Sequence, residues 1–271
     1  MKHPLRREGA SDKNKPSQTF PPAKPKILFF DLENSPNLGY SWDKYEQDIL
    51  RFKKEWFLLS FAAKWKESRV FAKALPDYGG YAHNKTNDEH LVRDIWRLFD
   101  EADIIVAHNG KKHDIRKANA RFAFYGLKPP SPYKVFDTLQ HAWRVYKFNS
   151  NKLDDLGNYL GLGRKIATGG ADLWFDCMKG DPKAWKKMVR YNKQDVVLLE
   201  KVYNHFLPWA EQHPNLGVYA SKEACPKCGS THMISRGFAR TVAGWYRQFQ
   251  CRDCGGWSRA GKLEQKIKTL R

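Results

Sequence analysis

Apolar positions change period several times along the chain, and each change predicts an element. From Lys26 the run KILFFDLE is short, apolar and β-prone, and residues 56–66 and 69–75 read as two more strands around a turn at Glu67 and Ser68. Asn87 caps a predicted helix through about Asp100, because Leu91, Ile95, Leu98 and Phe99 fall on one helical stripe. Ile104–Ala107 predicts a buried strand, residues 111–125 a second helix ended by Gly126 and two prolines, and residues 133–136 a fifth strand. Ser150 or Asn151 caps a short helix in KLDDLGNYLGL. Asp181 with Pro182 opens a long helix through His205, stopped by Pro208. Strands first, then alternating helix and strand, predict an α/β fold with a mixed β-sheet flanked by helices.

The 271 residues suffice for one medium domain and a small module. Residues 1–26 hold five prolines and few apolar side chains, which predicts a flexible basic tail. The main domain is expected over residues 27–212, and a cysteine-bearing module over 213–271. The longest mainly apolar stretch, residues 56–63, is far short of the ~20 residues that span a bilayer. With no apolar leader at its start, the chain reads as soluble and cytoplasmic, without a membrane partner. Its net charge of +19 points to a polyanion, and nucleic acid is the leading candidate. The charge is concentrated at the ends, +5 over residues 1–26 and +8 over residues 221–271, which argues against a mere solubility effect.

Asp31 and Glu33 stand two apart at a strand end, so one sheet face carries both carboxylates. Two adjacent anions repel unless a cation joins them, and the pair suggests a site for a hard, oxygen-loving metal. In AHNGKKHDI, Asp114 begins a helix just beyond a strand and can lean over the sheet edge. Tyr191 and Asp195, four apart in the long helix, share one face. Singly, each of these pieces also fits a solvated surface. Asp137, in VFDTL, reads as a helix cap or a supporting carboxylate.

In their order and spacing, strand Asp-x-Glu, helix Asp and late Tyr-x-x-x-Asp together resemble the DEDD superfamily of 3′-to-5′ exonucleases, in its DEDDy branch, over residues 27–207. Arg190 stands where the DEDDh branch has His, and His113 stands where relatives often have Phe. The resemblance implies a ribonuclease H-like fold in which Asp31, Glu33, Asp114 and Asp195 hold two Mg²⁺ or Mn²⁺ ions and Tyr191 orients the attacking water. Asn109 and Lys111, at the mouth of the implied cleft, are candidates for contacting the terminal nucleotide.

CPKCG and CRDCG place Cys225, Cys228, Cys251 and Cys254 as two Cys-x-x-Cys knuckles, the spacing of a four-thiolate Zn²⁺ site. A disulfide pairing is the alternative, and Cys177 reads as a buried, inert thiol. The segment resembles a zinc ribbon, in which Arg236, Arg240, Trp245 and Arg247 can track phosphates and stack on bases, or partly fill a small core. The expected activity is 3′-to-5′ hydrolysis of single-stranded DNA. RNA cleavage, endonucleolytic cleavage and non-catalytic nucleic-acid binding are the alternatives. Viral or cellular replication and repair proteins are the protein partners such a chain suggests.

Overall fold

The structure is a computed structural model and describes residues 24–45, 48–220 and 222–266. The basic tail expected over residues 1–26 lies, up to residue 23, outside the described residues. The first part of the chain forms β1 (Ile27–Asn34), β2 (Leu38–Tyr40), β3 (Arg51–Lys54), β4 (Leu58–Trp65) and β5 (Phe71–Ala74). Helix and strand then alternate through α1 (Glu89–Glu101), β6 (Ile104–Ala107), α2 (Asp114–Phe124), β7 (Lys134–Asp137) and α3 (Thr138–Val145). Next come α4 (Leu153–Tyr159), α5 (Asp172–Lys179) and α6 (Pro182–Phe206), followed by β8 (Met233–Thr241), β9 (Gly244–Cys251) and β10 (Trp257–Lys266).

Five strands form one sheet in the order β5-β4-β1-β6-β7. β4 runs antiparallel to β1 and β5, while β6 is parallel to β1 and β7. β1 is the central strand, which explains its unbroken apolar run: Ile27, Leu28, Phe29 and Phe30 are all buried. Leu28, Phe30 and Leu32 pack with Leu91, Ile95 and Phe99 of α1. Ile27 and Phe29 enter a second cluster with Val196, Val202 and Phe206 of α6. Asp31 and Glu33 continue that second series, so alternation along β1 delivers both carboxylates to the α6 side of the sheet.

α6 fixes the geometry of that side. Pro182 occupies its first turn and the Asp181 carboxylate accepts from the Lys183 amide at 2.9 Å, satisfying an end of the helix that would otherwise lack partners. Midway along, Asn192 is fully buried. Its amide donates to Asp31 Oδ2 at 2.5 Å and its oxygen accepts from Ser60 Oγ at 3.1 Å, tying α6 to β1 and β4. α4 approaches α6 at Gly157, where a β-carbon would lie 2.6 Å from the Gly163 carbonyl and 2.8 Å from Leu198 Cδ1.

Three features differ from the expectation. α2 starts at Asp114, three residues late, because residues 110–113 are taken up by a turn that follows the left-handed Asn109 (φ 65°). α3 and α5 were not anticipated; α3 is capped by Asp137, whose Oδ1 accepts from the Leu139 and Gln140 amides. The β2–β3 arm was not anticipated either.

The C-terminal strands form a separate antiparallel sheet, β10-β9-β8. It leans on the main core: Leu216, Cys228 and Cys254 pack into the α6 cluster, and the Lys227 ammonium donates to the Pro208 carbonyl. Among the described residues no helix is long and apolar enough to cross a membrane.

Gly157→Ala is expected to destabilise the protein by ~1–3 kcal/mol through overpacking against α6. Urea denaturation checks this, and an unshifted midpoint would show that α4 moves away from α6 at little cost.

Candidate functional site

β1 outruns β6. The parallel pairing ends at Phe29, while β4 accompanies β1 as far as Asn34, so the last turn of β1 has an open edge. Asp114, the first residue of α2, covers that edge: its Oδ1 accepts from the Leu32 amide at 3.1 Å. Gly110 lets the intervening turn pass this close, since a β-carbon there would lie 2.3 Å from Ala107 Cβ.

Oxygens of Asp31, Glu33 and Asp195 lie within 4.8 Å of one another. Asp114 is buried beside them, outside that tightest set, and its charge acts on both Asp31 and Glu33. Tyr191 lies one helical turn from Asp195, as its spacing requires. The sequence-derived acidic set and Tyr191 thus share one locality, drawn from β1, α2 and α6.

Lys165 completes the cluster and was missed by sequence reasoning. Its ammonium lies 2.5 Å from Asp195 Oδ2 and 3.1 Å from the Tyr191 hydroxyl. A lysine in the loop between α4 and α5 carries no periodic signal, but its backbone is held by Asp154 Oδ1 at 2.7 Å. Two further residues without a motif are Asn192, bonded to Asp31, and Trp174 of α5, whose indole N–H donates to Glu33 Oε2 at 3.0 Å.

Burial, with crowding added at Asp31 and Glu33, raises the titration of every acid in the cluster. Burial, and then the neighbouring Glu33, Asp114 and Asp195, hold Asp31 well above the usual carboxylate range. Burial and Asp195 push Glu33 up to about 8, and burial raises Asp114 to about 7 against the opposing pull of its backbone hydrogen bonds. Asp195 is also raised by burial, with Lys165 working against the shift. One ammonium does not offset this much negative charge, and Asp195 Oδ1 is buried without a partner. An all-oxygen donor set with excess negative charge and an unsatisfied oxygen fits hard divalent cations of the Mg²⁺ or Mn²⁺ kind.

Asn109 and Lys111 sit at the adjoining turn, where their amides donate to the Asp137 oxygens at 3.0 and 3.1 Å. Asp137 therefore organises the turn and caps α3. Beside Lys165 opens a cleft of about 480 Å³ lined by His108, Asn109, Trp143, Asn151 and Lys152. His108 Nε2 and Asn151 Oδ1 are buried there without partners.

Separately, the four knuckle thiols cluster within 4.8 Å, with Cys225–Cys254 and Cys228–Cys251 sulfur separations of 3.6 Å. A disulfide needs about 2.05 Å, so these are free thiols. Tetrahedral Zn²⁺ with bonds of about 2.3 Å spaces its sulfurs by about 3.8 Å, which the set fits. Gly229 and Gly255 take φ values of 80° and 74° and let each knuckle fold back on its first cysteine. On the adjoining sheet, Arg240 pairs across the strands with Trp245, and Phe238 with Arg247. The guanidinium groups lie 5.5 and 5.8 Å from the partner rings. Arg236 lies in the irregular stretch between Ser235 and Phe238, outside this checkerboard.

The raised carboxyls have a consequence for stability. The ordinary value for Glu33 is 4.5, and its folded value is about 8, so between these the folded state binds the extra proton and loses stability as pH rises. Without added magnesium, Glu33→Gln is expected to melt above the parent protein near pH 8.5 and to converge with it near pH 5. A melting gap that does not change with pH would remove Glu33 from the repelling cluster.

No curated protein matches the chain. Among solved structures, the chain is similar to the family B DNA polymerase from the hyperthermophilic archaeon Pyrobaculum calidifontis, with 18% identity and a TM-score of 0.49. The similarity covers 71% of this chain and 26% of that polymerase. Residues 57–207 match the family described as the RNase_H superfamily, a span that holds Asp114, Lys165, Tyr191 and Asp195 and begins after Asp31 and Glu33. That span is more than half of the 271 residues, and with the mixed five-stranded sheet around it the chain belongs to the RNase_H superfamily.

Proposed function

We propose that the protein is a metal-dependent 3′-to-5′ exonuclease of the DEDDy type that prefers single-stranded DNA. The convergence of Asp31, Glu33 and Asp195 oxygens within 4.8 Å, with Asp114 alongside, carries this reading. The Tyr-x-x-x-Asp spacing on α6 favours 3′-to-5′ polarity through the resemblance to DEDDy enzymes. Residues 27–212 form the hydrolase and residues 213–271 a zinc ribbon that grips the strand.

Asp31, Glu33, Asp114 and Asp195 would hold two Mg²⁺ or Mn²⁺ ions, a pair that would supply activation of the attacking water and charge neutralisation at the departing 3′ oxygen. Burial and the neighbouring Asp195 and Glu33 raise the Tyr191 hydroxyl above its ordinary value, so it stays protonated and orients water by hydrogen bonding. Lys165 steadies that hydroxyl and offers an ammonium to the phosphate beside it. The cleft next to Lys165 seats the terminal nucleotide, with Asn109 and Lys111 at its mouth and Trp143 exposed for stacking.

In the ribbon, Cys225, Cys228, Cys251 and Cys254 hold Zn²⁺ that is mainly structural. Arg240, Arg247, Trp245 and Phe238 present alternating charge and ring to a nucleic-acid strand, with Arg236 nearby.

A 3′- or 5′-labelled oligonucleotide, as DNA or RNA, single or double stranded, tests the catalytic reading. Cleavage is expected to shorten single-stranded DNA from its 3′ end, to require magnesium or manganese and to vanish in Asp195→Ala. Tyr191→Phe and Lys165→Met are each expected to slow cleavage ~10²-fold by loosening the water and phosphate geometry. Release of internal fragments from an end-blocked substrate, or an active Asp195→Ala protein, would overturn the assignment.

Truncation near residue 214 would expose the α6 cluster, so the ribbon's grip is better tested by Arg240→Gln with Arg247→Gln. The pair is expected to reduce the salt slope of single-strand binding by roughly 0.7 per lost phosphate contact. Elemental analysis should find zinc in the parent protein and its loss, with a lower melting temperature, in Cys251→Ser.

A further inference from the structure

The β2–β3 arm lies between β1 and β4 and is unaccounted for by the hydrolase reading. Every residue of both strands is exposed, so this two-stranded sheet has no face packed on the core. Such ribbons are marginal alone, and their apolar side chains are costly to leave in water. Here Leu38, Tyr40, Ile49, Leu50 and Phe52 are all exposed, Tyr40 at 55% and Phe52 at 50%. The base, by contrast, is firmly fastened: Ser35 Oγ accepts from the Phe57 amide at 3.0 Å and Asn37 Oδ1 from the Trp56 amide at 2.8 Å. A rigid mount carrying uncovered rings is the architecture of a docking element.

Chemistry and position select the occupant. β3 reads RFKK, so Arg51 and Lys53 share one face with Tyr40, the cross-strand partner of Arg51, while Phe52 and Lys54 share the other. An apolar protein surface would leave Arg51 and Lys53 without partners, whereas a polyanion with planar bases satisfies cations and rings together. The arm leaves the chain directly after β1, the strand of Asp31 and Glu33. At its base a cleft of about 490 Å³ is lined by Leu38, Lys54, Phe57, Phe175 and Lys179. Phe175 belongs to α5, whose preceding residue, Trp174, donates to Glu33. A strand crossing the acidic cluster toward α5 therefore meets the arm next.

We infer that the β2–β3 arm and the cleft at its base form a second binding site for nucleic acid, one that holds unpaired nucleotides by stacking on Tyr40, with Arg51 and Lys53 of the same face on their phosphates, and on Phe52 of the opposite face. The site rests on the nuclease reading only for where the strand lies, because binding there involves no bond cleavage.

Anisotropy of a fluorescein-labelled oligothymidylate of 20 nucleotides, against a blunt duplex of equal length, tests it on an Asp195→Ala background that removes cleavage. Replacing Tyr40 and Phe52 together by Ala is expected to weaken single-strand binding ~10-fold or more, with a much smaller effect on the duplex. Arg51→Gln with Lys53→Gln is expected to flatten the salt dependence of single-strand binding. A halogenated-uracil oligonucleotide photocrosslinked to the intact arm should mark Tyr40 or Phe52, which keeps the test open if a variant fails to fold. Unchanged single-strand affinity, an equal loss for duplex, or no crosslink on the arm overturns the site. A shift in sedimentation of the arm variants without a binding change would assign the arm to contacts between copies and equally overturn it. Cleavage by the parent protein is scored separately, so a failed arm and a failed nuclease reading are distinguishable.

Discussion

Carboxylates forced together at the end of a buried strand repel one another, and much of this fold serves to hold them there. Burial first, and then the neighbouring carboxylates, displace Asp31 and Glu33 upward, while burial is the main cause that displaces Asp114 and Asp195 with them. The repulsion is contained by fixed donors: the Leu32 amide on Asp114, the Asn192 amide on Asp31, the Trp174 indole on Glu33 and the Lys165 ammonium on Asp195. Each donor comes from a different element, so the cluster is braced from all sides before any cation arrives. Bracing of this kind narrows the positions the oxygens can take.

The acidic residues were legible because their geometry follows from period alone. Alternation on β1 sets Asp31 and Glu33 on one face, and a helical turn sets Tyr191 beneath Asp195. The order of the main elements was legible for the same reason, since β1, β4, α1, β6 and α6 each show a strong repeat. Paired cysteines on tight turns are similarly local, and the glycines with φ of 80° and 74° sit where the knuckles require them.

What period could not show is anything held by a single long-range contact. Lys165 lies in a loop of no regular pattern, and only the fold brings it to Asp195, thirty residues away in sequence. Asn192 looks like a polar residue on a helix face until β1 and β4 close over it. The start of α2 depends on Asp137, which gathers the amides of Asn109 and Lys111 from across the sheet and keeps that stretch out of the helix. The β2–β3 arm was invisible for the opposite reason: with every residue of its two strands exposed it has no buried face there, and so no alternation for a strand pattern to reveal.

α6 joins the two clusters of potential metal ligands in a way that neither motif suggests. Its middle carries Tyr191, Asn192 and Asp195, while Tyr203, about 12 Å farther along at 1.5 Å per residue, belongs to the cluster against which Cys228 and Cys254 pack. The Tyr203 hydroxyl meets His213 at 2.8 Å just before the knuckles begin. Among its described residues the C-terminal sheet buries little apolar surface of its own, with Cys225 and Cys251 its fully enclosed side chains. Through Cys228 and Cys254 it therefore shares a core with Val202, Tyr203 and Phe206 of α6. The thiol cluster and the carboxylate cluster thus rest on one helix, α6, at two places along its length.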